Sequence, residues 1–210
     1  MLKVVGTTPI RHDGVDKVTG RAIFGVDVSL PGMLHVRVLR SPHAHARIVR
    51  IDTSAADRLS GVAAIVTGFD VPVEPIEEPS AFSSPIRLKA LNAMAQGTAL
   101  YHGHAIAAVA AVSSHVADEA LRHIRVEYDV LKPVVDIPTA LKPDAPILQP
   151  NLRTETAGSF ADVPSNVAKH LVLEEGDITA GFEIADVVVE RTFSTFTVHQ
   201  GHIQPTNACA

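Results

Sequence analysis

Residues 106–112 read Ile-Ala-Ala-Val-Ala-Ala-Val, an unbroken apolar run with no polar side chain on either face. A run of this kind suits a strand covered on both sides. Ser113 or Ser114 then caps a helix whose apolar residues Val116, Ala117, Ala120, Leu121 and Ile124 share one face. Residues 124–130 (IRVEYDV) alternate apolar and polar side chains, as a half-buried strand does. Strand, helix and strand within about 25 residues predict a parallel crossover.

An analogous pattern lies upstream. Residues 34–40 (LHVRVLR) alternate as a strand, and residues 47–52 (RIVRID) form a weaker one, with Ser41-Pro42 in the turn between them. Thr53 is positioned to cap a short helix through Leu59, which Gly61 ends. Residues 62–67 (VAAIVT) are the next strand. The fold class is therefore α+β with two βαβ-like units. Aromatic residues are only 4% and Trp is absent, so the core must rest on Val, Ile, Leu and Ala.

At 210 residues the chain allows one large domain or two small ones. Prolines at 72, 75, 79 and 85, and again at 133, 138, 143, 146, 150 and 164, mark extended connections. The stretch from Pro133 to about Ala168 has little periodicity. Residues 186–198 (DVVVERTFSTFTV) are a long β-rich segment. A strand of that length needs neighbours, and residues 199–210 are too few to supply them. We expect a longer polypeptide, or a second chain, to complete this layer against Phe193, Phe196, Val198 and Ile203.

The net charge of −5 argues against a nucleic-acid partner. No run approaches the roughly 18 apolar residues of a membrane span, and the first residues lack a secretory pattern. The one cysteine, Cys209, excludes an internal disulfide framework. A cytoplasmic location is expected.

Several groups invite a chemical reading. His43 with His45, and His102 with His104, form His-x-His pairs that on a strand would face one side and chelate a metal, given a third ligand such as Asp52 or Glu127. The plainer reading has these histidines bonding to backbone groups. His199 and His202 have helical spacing at a strand end and are weaker still. Cys209 between alanines is a nucleophile only with a histidine partner, and otherwise a small buried filler. Glu74, Glu77 and Glu78, and Glu174, Glu175 and Asp177, read as solvated loop carboxylates. Gly-rich phosphate loops and the Gly-x-Ser-x-Gly elbow are absent. Residues 40–47 (RSPHAHAR) are the least generic segment; an arginine fork to neighbouring carbonyls or carboxylates, with Pro42 fixing the turn, is the structural explanation, and a binding loop is the alternative that residue chemistry leaves open.

Longer strings carry a resemblance. Residues 18–27 (VTGRAIFGVD), 39–48 (LRSPHAHARI), Ile51-Asp52, Gly61-Val62 and Val66-Thr67 follow in one order with residues 101–110 (YHGHAIAAVA). Val126-Glu127-Tyr128, residues 131–134 (LKPV) and Ala140-Leu141 continue the series. Gly176-Asp177, Phe182, Ala185-Asp186, Val189-Glu190 and residues 199–205 (HQGHIQP) extend it. The set resembles the start of the molybdenum-binding subunit of the xanthine dehydrogenase and aldehyde oxidase family, with its α/β-hammerhead domain. Residues 103–105 (GHA) stand where that family commonly has Gly-Gln-Pro, and Gln204 where it commonly has Glu.

The resemblance implies an N-terminal extension at 1–17, the hammerhead at 18–136, a Pro-rich linker at 137–168, and from 169 to 210 the incomplete start of a molybdopterin-binding domain. It implies an oxidoreductase subunit that hydroxylates an aldehyde, purine or N-heterocycle with oxygen from water, or reduces an aromatic thioester. The implied cofactor is a molybdenum-pterin in its cytosine dinucleotide form. The implied partners are the remainder of the large subunit and iron–sulfur and FAD subunits or domains. The family's pterin loop and general-base glutamate lie beyond the equivalent of Ala210. No catalytic, cofactor-binding or metal-binding residue is therefore assigned to this chain, and the stretch alone is expected to be inactive. Two rivals stand beside this reading: a non-catalytic split-subunit module that pairs with a cofactor-bearing chain, and an independent metal-binding protein using the His-x-His pairs.

Overall fold

The computed structural model describes residues 4–71, 93–150, 152–201, 203 and 206–210. They divide into two compact units, Leu34–Gly181 and Met1–Met33 with Phe182–Ala210.

Two three-stranded sheets organise the first unit. One holds β1 (His35–Arg40), β3 (Val62–Thr67) and β5 (Ala105–Ala111) in the order β1-β5-β3. The other holds β2 (Ala46–Asp52), β4 (Thr98–Ala99) and β6 (Arg125–Val130) in the order β4-β2-β6. All pairings in both sheets are antiparallel. The crossover expected from the sequence is therefore absent. The helix α3 (Ser114–His123) joins β5 of one sheet to β6 of the other, and the short α2 (Ser54–Asp57) likewise joins β2 to β3.

Opposite charges face one another where β6 pairs with β2. The outward residues Asp129, Glu127 and Arg125 of β6 lie opposite Arg47, Arg50 and Asp52 of β2. Each of these three register pairs joins opposite charges, a favourable arrangement between neighbouring strands. Alternation in a sequence identifies a strand but does not name its neighbour.

The core has two parts. Ala107, Val109 and Ala111 of β5 pack with Ala56, Ala117, Ala120 and Ile124 beneath the helices. Ile106, one residue out of phase, packs with Ile48 and Ala99 of the second sheet and with Ala95, just before β4. Alternate residues of β5 thus point into different cores, as the two-residue period of a strand requires. Coverage is less complete than the apolar run implies, because Ala108 and Ala110 are only half-buried. The buried face of α3 is alanine, so helix and sheet meet at short range.

Helix starts follow local chemistry. Ser113 caps α3, its Oγ accepting the Val116 N–H at 3.2 Å. Thr53 occupies the first cap position of α2 but makes no capping bond. Asp52 does that work, with Oδ1 accepting both the N–H of Ser54 at 3.0 Å and its hydroxyl at 2.7 Å. Thr53 instead donates its hydroxyl to Asp57 at 2.8 Å.

The proline-rich stretch after β6 is more structured than its composition suggests. It contains α4 (Ile137–Ala140) and a small sheet of β7 (Arg153–Thr156), β8 (Ser159–Pro164) and β9 (Lys169–His170). Asn166 ties it together: its amide donates to the carbonyls of Ala140 at 3.3 Å and Pro146 at 3.0 Å, and its Oδ1 accepts the Leu148 N–H at 3.1 Å.

The other unit contains α1 (Gly14–Thr19) and the single turn Gly25–Asp27, neither with a buried residue. The helix α5 (Ile178–Glu183) starts in the first unit and runs across the division at Gly181; it begins just after Asp177, whose carboxylate accepts the Ala180 N–H at 2.9 Å. The strand expected at 186–198 does not form: this segment makes no ladder, and each of its residues is exposed. Val, Thr and Phe favour a strand only where a neighbour supplies hydrogen bonds and cover.

Candidate functional site

The two His-x-His segments lie in loops rather than strands, so the alternation that would align their rings does not apply. The loops nevertheless meet. Ser41 N–H donates to the His104 carbonyl at 2.8 Å, and Gly103 N–H donates to the Ser41 carbonyl at 2.9 Å. Arg40 donates through Nη1 to the Gly103 carbonyl at 2.9 Å. Ser41 Oγ folds back to accept the His43 N–H at 3.1 Å and to bond the His43 carbonyl at 2.9 Å. The arginine-rich turn is thus fastened to the second histidine loop, and Arg40 has the carbonyl-binding role its setting suggested.

Each ring is engaged differently. His104 is fully buried and stacks on Tyr101, with centroids 4.4 Å apart. Its Nδ1 accepts the Leu100 N–H at 3.2 Å, which places the ring hydrogen on Nε2. His45 is also buried, and its Nδ1 lies 2.8 Å from the Lys132 carbonyl. A carbonyl only accepts, so here Nδ1 carries the hydrogen. His43 meets Tyr128 edge-on at 5.0 Å. Burial pushes the Tyr128 phenol above its ordinary range, and a hydrogen bond with the Ser41 side chain opposes that rise. His102 is exposed.

This cluster does not make a metal centre. Among the described residues no three His, Cys, Asp or Glu side chains converge. Asp52 and Glu127 sit near the far end of the β2–β6 ladder from His45. At about 3.3 Å per residue, Asp52 is roughly 20 Å along the strand. Asp52 is moreover occupied with Ser54, whose hydroxyl and N–H hold its carboxyl below the usual range.

The remaining candidates are dispersed. Cys209 is exposed. Glu174 and Glu175 are exposed loop residues, and Asp177 caps α5. His199 accepts the Gly201 N–H at 3.1 Å through Nδ1. Glu74, Glu77, Glu78 and His202 lie outside the described residues. What the sequence did not disclose is the joint made by Ser41 and His104. Its only advance signal was two similar His-x-His strings, each beside a strand.

The geometry is that of a scaffold: two antiparallel sheets pinned at one end by buried loops, with an α-helix packed on one of them. The chain belongs to the aldehyde oxidase and xanthine dehydrogenase family: the family profile described as "Aldehyde oxidase and xanthine dehydrogenase, a/b hammerhead domain" matches residues 19–132. The nicotinate dehydrogenase large molybdopterin subunit of Eubacterium barkeri is 33% identical over 97% of this chain and 43% of its own. The carbon monoxide dehydrogenase large chain of Afipia carboxidovorans is 29% identical over 99% of this chain and 25% of its own. Among solved structures, reconstituted CO dehydrogenase from Oligotropha carboxidovorans superposes with a TM-score of 0.64 at 30% identity, covering 87% of this chain and 22% of that one. The chain therefore spans less than half the length of these relatives. No helix among the described residues is long and apolar enough to cross a membrane.

Proposed function

We propose that this chain is the N-terminal part of the large subunit of a molybdenum-dependent hydroxylase or dehydrogenase. It supplies structure rather than chemistry. The observation that carries this reading is the similarity to large molybdopterin and CO dehydrogenase chains along nearly all of its length. The complete enzyme would act on an aldehyde, purine, N-heterocycle or aromatic thioester, and would pass electrons to iron–sulfur and FAD subunits or domains in the cytoplasm. The domain limits follow the sequence: extension 1–17, hammerhead 18–136, linker 137–168, and the start of the cofactor domain from 169.

We assign no residue of this chain to the molybdenum-pterin. The buried histidines already bond backbone groups, and no ligand cluster forms among the described residues. The cofactor, in its cytosine dinucleotide form, is assigned to residues outside this sequence, and no reaction step is assigned to these. A split-subunit module is the second reading. It is favoured by one comparison: the matching stretch makes up 43% of the E. barkeri chain but 25% of the A. carboxidovorans chain. The family therefore includes shorter large subunits.

Intact mass of the native polypeptide under denaturing conditions, followed by molybdenum analysis and a hydroxylase screen of the purified assembly, tests both readings. A mass several-fold above 22.3 kDa with molybdenum present supports the first. A mass near 22.3 kDa with a molybdenum-bearing partner supports the second. Absence of molybdenum from the assembly overturns both.

A further inference from the structure

His104 is a titratable side chain with no exposed surface. Its Nδ1 accepts the Leu100 N–H at 3.2 Å, so that nitrogen is free of hydrogen and Nε2 carries the one ring proton. A second ring proton can go only to Nδ1. Protonation therefore expels the Leu100 N–H and places a full charge in a buried site, two costs that act in the same direction.

The neighbours do not cancel those costs. The ring of Tyr101, stacked 4.4 Å away, favours a charged imidazole. One ring face restores only a fraction of the water that a buried cation loses. Arg40 acts the other way, because its Nη1 donates to the carbonyl of the adjacent Gly103 at 2.9 Å and brings a fixed positive charge to the same turn. On the facing turn, His43 packs against Tyr128, whose phenol bonds the Ser41 side chain. On β2 and β6, Arg47 and Asp129 pair with each other at 3.6 Å. His102, beside His104 in sequence, is exposed. His45 is buried but gives its Nδ1 hydrogen to the Lys132 carbonyl at 2.8 Å. A second proton on His45 goes to Nε2 and leaves that bond intact, so His45 lacks this sensitivity.

The bond to Leu100 sits at a structural joint. Leu100 follows β4 of one sheet, while Ser41 follows β1 and His104 precedes β5 of the other. The His104 N–H closes on the Tyr101 carbonyl at 3.1 Å, and its own carbonyl accepts the Ser41 N–H at 2.8 Å. The strand β4 is short, pairing with β2 through Ala46 and Arg47. The imidazole thus holds the end of β4 against the start of β5.

We infer that His104 is an acid-release catch between the two sheets: its neutral ring holds the 100–104 turn shut, and uptake of a proton opens it. In the open turn the ring meets water and both nitrogens can carry hydrogen. The open form binds one proton more than the closed form, so falling pH favours opening. The closed turn has its full stability above the ordinary histidine value of about 6.5 and loses it progressively below. The core beneath α3, to which none of these residues belongs, stays intact.

Amide hydrogen exchange, read by mass spectrometry on the native polypeptide as purified, tests the catch. Labelling is corrected for the pH dependence of unprotected amides. Protection is compared between a peptide covering 97–106 and one covering 114–124 of α3. We expect protection at 97–106 to fall by about tenfold per pH unit below about pH 6.5, with no change at 114–124. His104→Gln keeps an oxygen to accept the Leu100 N–H and does not titrate, so its profile should be flat. His45→Gln should keep the fall. A flat profile in the parent overturns the inference. So does a fall shared by 114–124, a fall that persists in His104→Gln, or one abolished by His45→Gln. If His104→Gln does not fold, the parent and His45→Gln decide the matter between them.

Discussion

His104 and Ser41 are among the largest fully buried side chains of the protein, alongside Ile106 and Val109. Two polar residues therefore serve as core. His104 earns that position by stacking on Tyr101 and by accepting the Leu100 N–H. Replacing it with alanine leaves that N–H without its acceptor and opens a void. We expect His104→Ala to cost about 1–3 kcal/mol from the orphaned donor, with a further loss from the void. Urea denaturation of the purified variant measures this. His102→Ala, at an exposed position four-square in the same loop string, should stay within about 0.5 kcal/mol of the parent. Equal effects at the two positions would contradict the assignment of roles. For His45 and His104 the backbone-bonding reading was legible in the sequence, since loop histidines commonly bond backbone. Which histidines would be buried was not, because that depends on how residues 41 and 103–104 meet across 60 or so positions of chain, a contact no local pattern encodes.

At the scale of elements, α3 and the carboxylate caps give opposite lessons. The helix, its Ser113 cap and its buried stripe of Ala117 and Ala120 all follow from periodicity and capping chemistry. The small side chains set the helix-to-sheet distance, so Ala120→Leu has no room. We expect it to destabilise by about 1–3 kcal/mol in the same denaturation assay. The Asp52 cap was not foreseen, because Thr53 next to it is an equally acceptable cap by composition. Asp52 and Asp136 both hold their carboxyls below the ordinary value of 3.8 by hydrogen bonds, from Ser54 and from Thr139 respectively. The unfolded chain therefore takes up these protons first as pH falls. Their stabilisation is complete above the unfolded value and is lost as pH drops through the depressed folded value. Asp52→Asn with Asp136→Asn should flatten the fall in urea midpoint as pH drops through and below the ordinary carboxylate range. An unchanged acid limb would show that other carboxylates govern it. The β7–β8 hairpin escaped the sequence reading for a different reason: Thr and Glu at its centre carry no apolar alternation, and Asn166 supplies from outside the strands what a core would otherwise provide.

For the whole molecule, burial is confined to one of the two units. Among the described residues, every buried hydrophobic one lies between Ala46 and Ile124. Within Met1–Met33 and Phe182–Ala210, no described residue is buried, and Phe193, Phe196 and Ile203 are 86%, 95% and 97% exposed. Removing those segments takes away no part of either core cluster, and the strand pairings of all three sheets lie inside Leu34–Gly181. A chain of residues 34–181 should accordingly unfold cooperatively, with a urea midpoint matching the full 210-residue chain and a slope no smaller than its share of buried surface requires. The exposed phenylalanines should meanwhile make the full chain bind a hydrophobic dye more strongly than the shortened one. A shortened chain that melts without cooperativity would mean that the flanking segments contribute to the fold through contacts that burial does not reveal. A matched midpoint with lower dye binding would mean that 34–181 is the self-sufficient scaffold, and that the apolar residues after Phe182 are held ready for a layer supplied from elsewhere.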